Sequence, residues 1–260
     1  MPADGVKLDT ASNPVSIRVR RLSARDFRYA LRAGLADFLA RPTHSVWLMI
    51  HYPLTGLGLT WISFGYDILP LAAIMTTGFA LVGPVALLGL LALSRAREIA
   101  PQESALRALG RIGMDKVLGV LVVALILAVL YALWLALGAA VFLDDLGATT
   151  AASPSAAIQG GWARAILVVG AGAGLGFVAM AIGAFSVPLI VDGETRVGRA
   201  ICASVVTVLY NAAPMTAWGC VVVALLLLGS LPLFVGLVVM LPVLGHATWH
   251  LYRRTFEPVS

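Results

Sequence analysis

The sequence predicts an all-α, polytopic membrane protein: six transmembrane helices arranged as three hairpins, each preceded by a short amphipathic helix on the cytoplasmic surface. Three observations carry this prediction. The 260 residues are 60% hydrophobic and only 12% charged, with a mean hydropathy of +0.94, whereas soluble domains have about a quarter of their residues charged. The apolar runs are long and carry no Asp, Glu, Lys or Arg, and about 20 such residues cross a hydrocarbon core of roughly 30 Å. Finally, all but Arg164 of the 18 Lys and Arg residues fall in four short segments, at 7–41, 95–116, 196–199 and 253–254. Basic residues beside span ends are retained on the cytoplasmic side, so these segments share one face.

The elements follow in order. Residues 1–21 are polar and irregular, with Pro2, Gly5 and Pro14, and read as a flexible cytoplasmic tail with no signal peptide. Residues 22–260 read as a single six-span domain. The first surface helix covers 23–41. Ser23 and Asp26 suit a capping box, and Phe27, Leu31, Leu35 and Leu39 form an apolar stripe that Arg25, Arg28, Arg32 and Asp37 avoid. Span one is 44–64, Tyr66 and Asp67 turn the chain, and span two is 68–94. The second surface helix, 102–112, places Leu106, Leu109 and Ile112 on one side. Span three, 117–142, leads to an acidic outer loop with Asp144 and Asp145, and span four is 165–191. The third surface helix is 196–210. The last apolar stretch, 214–252, would make one helix about 60 Å long, twice the membrane. Gly229, Ser230, Leu231 and Pro232 divide it into two spans. Six crossings leave both termini in the cytoplasm. A count of seven, with 199–210 promoted to a span, would put Arg253 and Arg254 outside and relies on a stretch too short to cross. The order of surface helix, outward span and inward span then occurs three times.

Aromatic residues mark the edges, because amphipathic rings prefer the headgroup level. Trp47, Trp218, Trp249 and Tyr252 fall near the inner boundary, and Trp61, Tyr66 and Trp162 near the outer one. Tyr131 and Trp134 fit neither belt and are expected to pack between helices.

The chemistry is sparse. The isoelectric point near 9.6 is explained by bases that flank spans and face anionic headgroups, without nucleic acid; Arg25, Arg28, Arg32, Arg41, Arg95, Arg97, Arg253 and Arg254 are the expected lipid contacts. Cys202 and Cys220 form no disulfide framework. Spans free of charged side chains argue against ion-coupled transporters, pumps and voltage sensors. No nucleotide loop or zinc-protease motif is present. Gly170, Gly172, Gly174 and Gly176 lie inside span four, where glycines four apart let helices approach. The ionisable groups within the spans are His44, His51, His246 and His250. Each pair shares a helix face. If the first and last spans are neighbours, four imidazoles converge in the cytoplasmic leaflet, a set suited to a metal or haem iron. The alternative is that His44 and His250 are interfacial and the deeper two bond to carbonyls, Ser or Thr. On the second reading no cofactor is needed.

The C-terminal string Pro242-Val243-Leu244-Gly245-His246-Ala247-Thr248-Trp249-His250-Leu251-Tyr252-Arg253 resembles the ending of a bacterial family of integral membrane proteins of unknown function. Ser186-Val187-Pro188-Leu189-Ile190-Val191-Asp192, followed by Ala200, Ser204, Asn211 and Pro214, is similar to it as well, as is the stretch 38–58. Members are often labelled cytochrome c oxidase subunit I. The resemblance implies a bacterial inner-membrane location and no established activity. The residues after the four histidines, Ser45, Tyr52, Ala247 and Leu251, do not spell the oxidase subunit's His-Pro-Glu-Val-Tyr string. The expected function is a non-enzymatic accessory or scaffold for another membrane complex, with the lipid bilayer as constant partner. The rivals are a small-molecule or lipid transporter lined by residues such as Thr55, Thr60, Thr76, Thr77 and Ser186, and a haem or metal protein using the histidines.

Overall fold

The computed structural model describes residues 6–8, 17–65, 87–148 and 154–258, and over these the chain is mostly helical. Strand β1 (Val6–Leu8) pairs antiparallel with β2 (Ile17–Val19). Helices α1 (Ala24–Ala40), α2 (Pro42–Met49) and α3 (His51–Gly65) follow. Residues 87–99 are helical, here α4, and α5 is Ala105–Gly110. Then come α6 (Met114–Ala148), α7 (Pro154–Gly183), α8 (Ser186–Asp192), α9 (Val197–Tyr210), α10 (Ala212–Ser230) and α11 (Leu237–Thr255), and β3 (Phe256–Pro258) ends the described chain.

Among the described residues three stretches are long and apolar enough to cross a membrane: Met114–Leu137 in α6, Val169–Asp192 across α7 and α8, and Ala212–Ser230 in α10. Expected spans three and four and the first half of the final hairpin coincide with them. Span two lies, up to residue 86, outside the described residues, as do Tyr66 and Asp67. The outward parts of these helices leave Leu125, Val129, Leu133, Ile166, Leu167, Val169, Leu227 and Leu228 exposed. Apolar surface on this scale is unusual for a water-facing fold and ordinary against lipid.

Prolines break the expected spans where the ring would meet the carbonyl four residues back. Pro53 separates α2 from α3 at Ile50, and Pro188 separates α7 from α8 at Ala184 and Phe185. The second break is closed from α9. Ser204 accepts from the Phe185 N–H at 3.1 Å and donates to the Ala181 carbonyl at 2.7 Å. The final hairpin turns through residues 231–236, where Leu233 (φ 51) and Phe234 (φ 64) take left-handed backbone, costly for side-chain-bearing residues. The approach of Gly236 to Gly229 makes it tight: a Cβ on Gly236 would lie 2.8 Å from the Gly229 Cα.

Two expectations are corrected at the N-terminal end. Ile17–Val19, assigned to the tail, is the middle strand of the sheet; Arg18 sits opposite Glu257, Val19 opposite Phe256, and Val19 is fully buried. The first surface helix is not peripheral, because α1 packs along α11. Its buried face is Asp26, Phe27, Ala30, Gly34, Asp37 and Phe38. Leu35 (43% exposed) and Leu39 (64%) point outward. A stripe drawn at every fourth residue drifts around a helix with 3.6 residues per turn; over three steps it leaves the contact face. The cap reads correctly in its carboxylate half: Asp26 accepts from the Ser23 N–H at 2.9 Å and from its hydroxyl at 2.7 Å. In the second surface helix, Leu106 is exposed whereas Leu109 and Ile112 are half-buried.

The residues assigned to the aromatic belt divide. Trp47, Trp61 and Trp162 are exposed, but Trp218, Trp249 and Tyr252 are buried. Trp218 stacks on Phe27 with ring centroids 5.3 Å apart. The polar tips of Trp249 and Tyr252 find carboxylates instead of headgroups: Trp249 donates to Glu98 at 2.9 Å and Tyr252 to Asp192 at 2.8 Å. Trp134 packs between helices as expected, against Gly172 of α7, and Tyr131 lies against the Trp134 ring on α6.

Candidate functional site

The densest polar cluster in the described chain is built by α1, α2, α4 and α11. Two close helix approaches create it. Gly34 lets α1 onto α11; a Cβ there would lie 2.6 Å from both the Ala247 nitrogen and the Val243 carbonyl oxygen. Gly245 lets α4 onto the other side of α11, where a Cβ would collide with Leu90. One turn beyond Gly34 is Asp37, and one turn beyond Leu90 is Ser94. His246 and His250, one turn apart on α11, meet both.

Asp37, Ser45, Ser94 and His246 are all buried. The Ser94 hydroxyl donates to Asp37 Oδ2 at 2.6 Å and lies 2.8 Å from His246 Nδ1. Ser45 Oγ lies 2.9 Å from His246 Nε2 and 3.1 Å from the Arg41 carbonyl. His250 Nε2 donates to Asp37 Oδ2 at 2.9 Å, and Arg97 donates to Asp37 Oδ1 at 2.7 Å. Valence orders the protons. An ionised carboxylate only accepts, so the single Ser94 proton goes to Asp37. His246 Nδ1 must then donate to Ser94, and neutral His246 accepts at Nε2 from Ser45. A second arrangement also closes: cationic His246 donates at Nε2 to Ser45, which donates to the Arg41 carbonyl. Burial alone would raise the Asp37 carboxyl, but hydrogen bonds from His250 and Ser94 hold it below its ordinary range.

Around this cluster the basic segments are tied together. Arg95 and Arg253 reach Asp192, at 3.0 and 3.6 Å, and Arg253 reaches Glu98 at 2.8 Å. Arg254 pairs with Asp26 at 3.2 Å, and Arg20 pairs with the same carboxylate. Burial would raise Asp26, yet the Ser23 hydrogen bonds and the Arg20 charge keep it low. Arg41 donates to the Glu103 carbonyl at 2.7 Å, and Lys116 to the Val191 carbonyl at 2.6 Å. Asn211, at the end of α9, accepts from the Leu22 N–H at 2.8 Å and donates to the Arg20 carbonyl at 3.2 Å.

The expected site residues are redistributed. Of the four histidines, His246 and His250 share the cluster. His44 is half-buried outside it, and His51 lies against Tyr52 with ring centroids 4.4 Å apart. The first pair was placed on one continuous helix, and the break at Ile50 removes that premise. Among the described residues no three His, Cys, Asp or Glu side chains are grouped to hold a metal ion, and both ring nitrogens of His246 face serine hydroxyls. Of the eight expected lipid contacts, Arg25, Arg28 and Arg32 are exposed on α1, while Arg41, Arg95, Arg97, Arg253 and Arg254 have intramolecular partners. Of the four glycines, Gly172 meets a neighbour, Trp134; a Cβ at Gly170, Gly174 or Gly176 meets nothing within 4 Å among the described residues. The Thr55 and Ser186 hydroxyls donate to carbonyls of His51 and Ile182. The Thr60 side chain and Thr76 and Thr77 lie outside the described residues. Asp37, Ser45 and Ser94 were missed as site residues. The available signal was an acid among the arginines of an amphipathic helix.

No curated protein and no solved structure matches the chain. The oxidase designation finds no support in the family comparison. Residues 71–192, a little under half of the chain, are similar to the family described as "Predicted integral membrane protein (DUF2189)", and that segment holds Ser94, Arg97 and Asp192 but neither Asp37 nor the α11 histidines.

Proposed function

We propose that the protein is a six-span, non-enzymatic component of a bacterial inner membrane that acts as an accessory or scaffold for another membrane complex. Its ion-paired end faces the cytoplasm. The observation carrying this reading is the closure of the polar cluster. Asp37, Ser45, Ser94 and His246 are buried with partners, and the arginines around them are engaged by carboxylates. Such a cluster locks helices together and presents no reactive group to a substrate.

The span count is supported by two contacts. The β2–β3 pairing joins the N- and C-terminal segments, so the chain between them crosses an even number of times. Asn211, at the end of α9, meets the ion-paired end through Arg20, and α9 begins at Val197, five residues after Asp192 of that end. A helix of 14 residues so placed runs along that end rather than across the bilayer. The six spans are then α2 with α3, the expected span 68–94 of which α4 is the described part, α6, α7 with α8, α10 and α11. Positive-inside retention gives the orientation.

The test is extraction from native membranes in mild detergent, chemical cross-linking and mass spectrometry. A defined membrane complex recovered in fixed stoichiometry supports the reading. Recovery of the chain alone refutes it, and substrate-dependent flux in proteoliposomes would favour the transporter instead.

A further inference from the structure

We infer that a cleft beside α4 binds the phosphate of an anionic phospholipid. The cleft has a volume of about 70 Å³ and lies between α4, α5 and the start of α6, with Val191 of α8 at its base. Arg95, Arg111 and Lys116 supply three cations to its wall and Glu103 a carboxylate, with Asp192 paired to Arg95 and the Asp115 and Asp192 charges acting on Lys116. The rest of the lining is apolar, including Leu88, Ala92 and Ile99.

The charges are arranged for an anion. Arg111 pairs with Glu103 at 3.0 Å but remains 75% exposed, so its guanidinium has donors to spare. Arg95 uses Nε on Asp192, which leaves its terminal nitrogens for a second acceptor. Lys116 donates to the Val191 carbonyl, and an ammonium has three protons. All three groups line the one cleft, and forked guanidinium donors match phosphate oxygens well.

The surroundings point to a lipid rather than a soluble phosphate. Ile99, Leu106, Met114 and Leu118 are exposed around the same end of the molecule, an apolar rim of the kind an acyl chain covers. Basic pockets between helices at the cytoplasmic leaflet recognise anionic headgroups. The inference rests on the proposal that the ion-paired end faces that leaflet.

The test uses the full chain purified in mild detergent, which has no sidedness, so it succeeds or fails independently of membrane orientation. Native mass spectrometry measures retention of dioleoyl-phosphatidylglycerol, dioleoyl-phosphatidylcholine and inorganic phosphate. The expected result is one tightly held phosphatidylglycerol per chain, with phosphatidylcholine and phosphate held far more weakly. Arg111→Gln with Lys116→Gln should weaken phosphatidylglycerol binding about 30-fold, taking each charge near the headgroup as about one factor of five to six. Arg111→Lys with Lys116→Arg should restore most of it. Arg21→Gln with Arg196→Gln removes two charges elsewhere and should change it less than about threefold. Equal loss in the two double-Gln variants overturns the site, and inorganic phosphate held as tightly as phosphatidylglycerol overturns the lipid assignment. Cysteine-accessibility mapping in intact cells tests the orientation separately.

Discussion

Asp37 is where the helix contacts converge, and its replacement gives a calculable effect. The carboxylate is 8% exposed and receives Ser94, His250 and Arg97. In Asp37→Ala the Ser94 hydroxyl and the His250 Nε2–H lose their acceptor. Ser94 is buried and His250 is 19% exposed, so water replaces little of what is lost. Leaving a buried donor unsatisfied costs about 1–3 kcal/mol. The Arg97 side chain is 40% exposed and recovers hydration, so it adds little. The expected destabilisation is about 3 kcal/mol, which at about 2–4 °C per kcal/mol lowers the thermal midpoint by about 6–12 °C. Asp37→Asn keeps an acceptor and should fall between Ala and the wild type. Ser45→Ala removes a single hydrogen-bond partner of His246 and should cost about 1 kcal/mol. The assay is fluorescence-detected size exclusion of detergent-solubilised protein after a temperature series. A midpoint for Asp37→Ala within about 2 °C of the wild type, under 1 kcal/mol by the same conversion, refutes the assignment of Asp37 as the anchor of the cluster.

Three more outcomes follow from the same contacts. Asp26 and Asp37 both have depressed carboxyl values, so their stabilisation is complete above the ordinary carboxylate range and fades as pH falls through the lowered values; the wild-type midpoint should therefore drop steeply below a pH of about 4, with a shallower drop over that window in Asp37→Asn, as acid-titrated midpoints will show. Gly34→Ala forces a Cβ into helix backbone and should destabilise by about 1–3 kcal/mol, the usual range for overpacking, whereas Gly174→Ala, where a Cβ meets nothing within 4 Å among the described residues, should not lower the midpoint. Arg18 and Glu257 are Cα partners across β2 and β3; with Cys202→Ser and Cys220→Ser, an Arg18→Cys, Glu257→Cys pair should oxidise to an intramolecular disulfide seen as a mobility shift, and failure to cross-link would place the two termini apart.

The class of fold was legible in the sequence because it depends on one-dimensional quantities: run length, charge content and the positions of arginines. The division of the last stretch at residues 229–232 and the start of α1 at Ser23 were readable for the same local reason. Packing was not. The α1 stripe was drawn from side chains alone, while the contact with α11 is set by Gly34, a residue with no side chain to notice. The breaks at Ile50 and Ala184 were signalled by Pro53 and Pro188, but an apolar run hides its prolines from hydropathy. Trp249 and Tyr252 look like belt residues until the carboxylates of Glu98 and Asp192 are placed beside them. The site failed in the same manner: His246 and His250 were picked out by residue type, whereas Asp37 and Ser94 lie 209 and 152 positions from His246 and are joined to it by helix packing alone.

The carboxylates also change what the arginines mean. Retention of basic residues on one side of a bilayer needs charge near the span ends, and it works equally well if those charges later find partners. Five of the eight arginines assigned to headgroups are engaged by carboxylates or carbonyls within the chain. Arg25, Arg28 and Arg32, on the outward face of α1, are left facing the surroundings. On the proposed orientation the same charge serves twice, first to orient the chain and then to bind distant helices to one another. Ion pairs exposed to water contribute little, but Asp37 is removed from water by α11 on one side and α4 on the other, and its partners come from both. That makes the cluster a junction between the first and last helices of the chain. A partner complex gripping the apolar perimeter would meet a bundle whose ends are already fixed at this junction, and loosening it through Asp37→Ala should release partner and midpoint together, whereas substitutions on the apolar perimeter should release the partner alone.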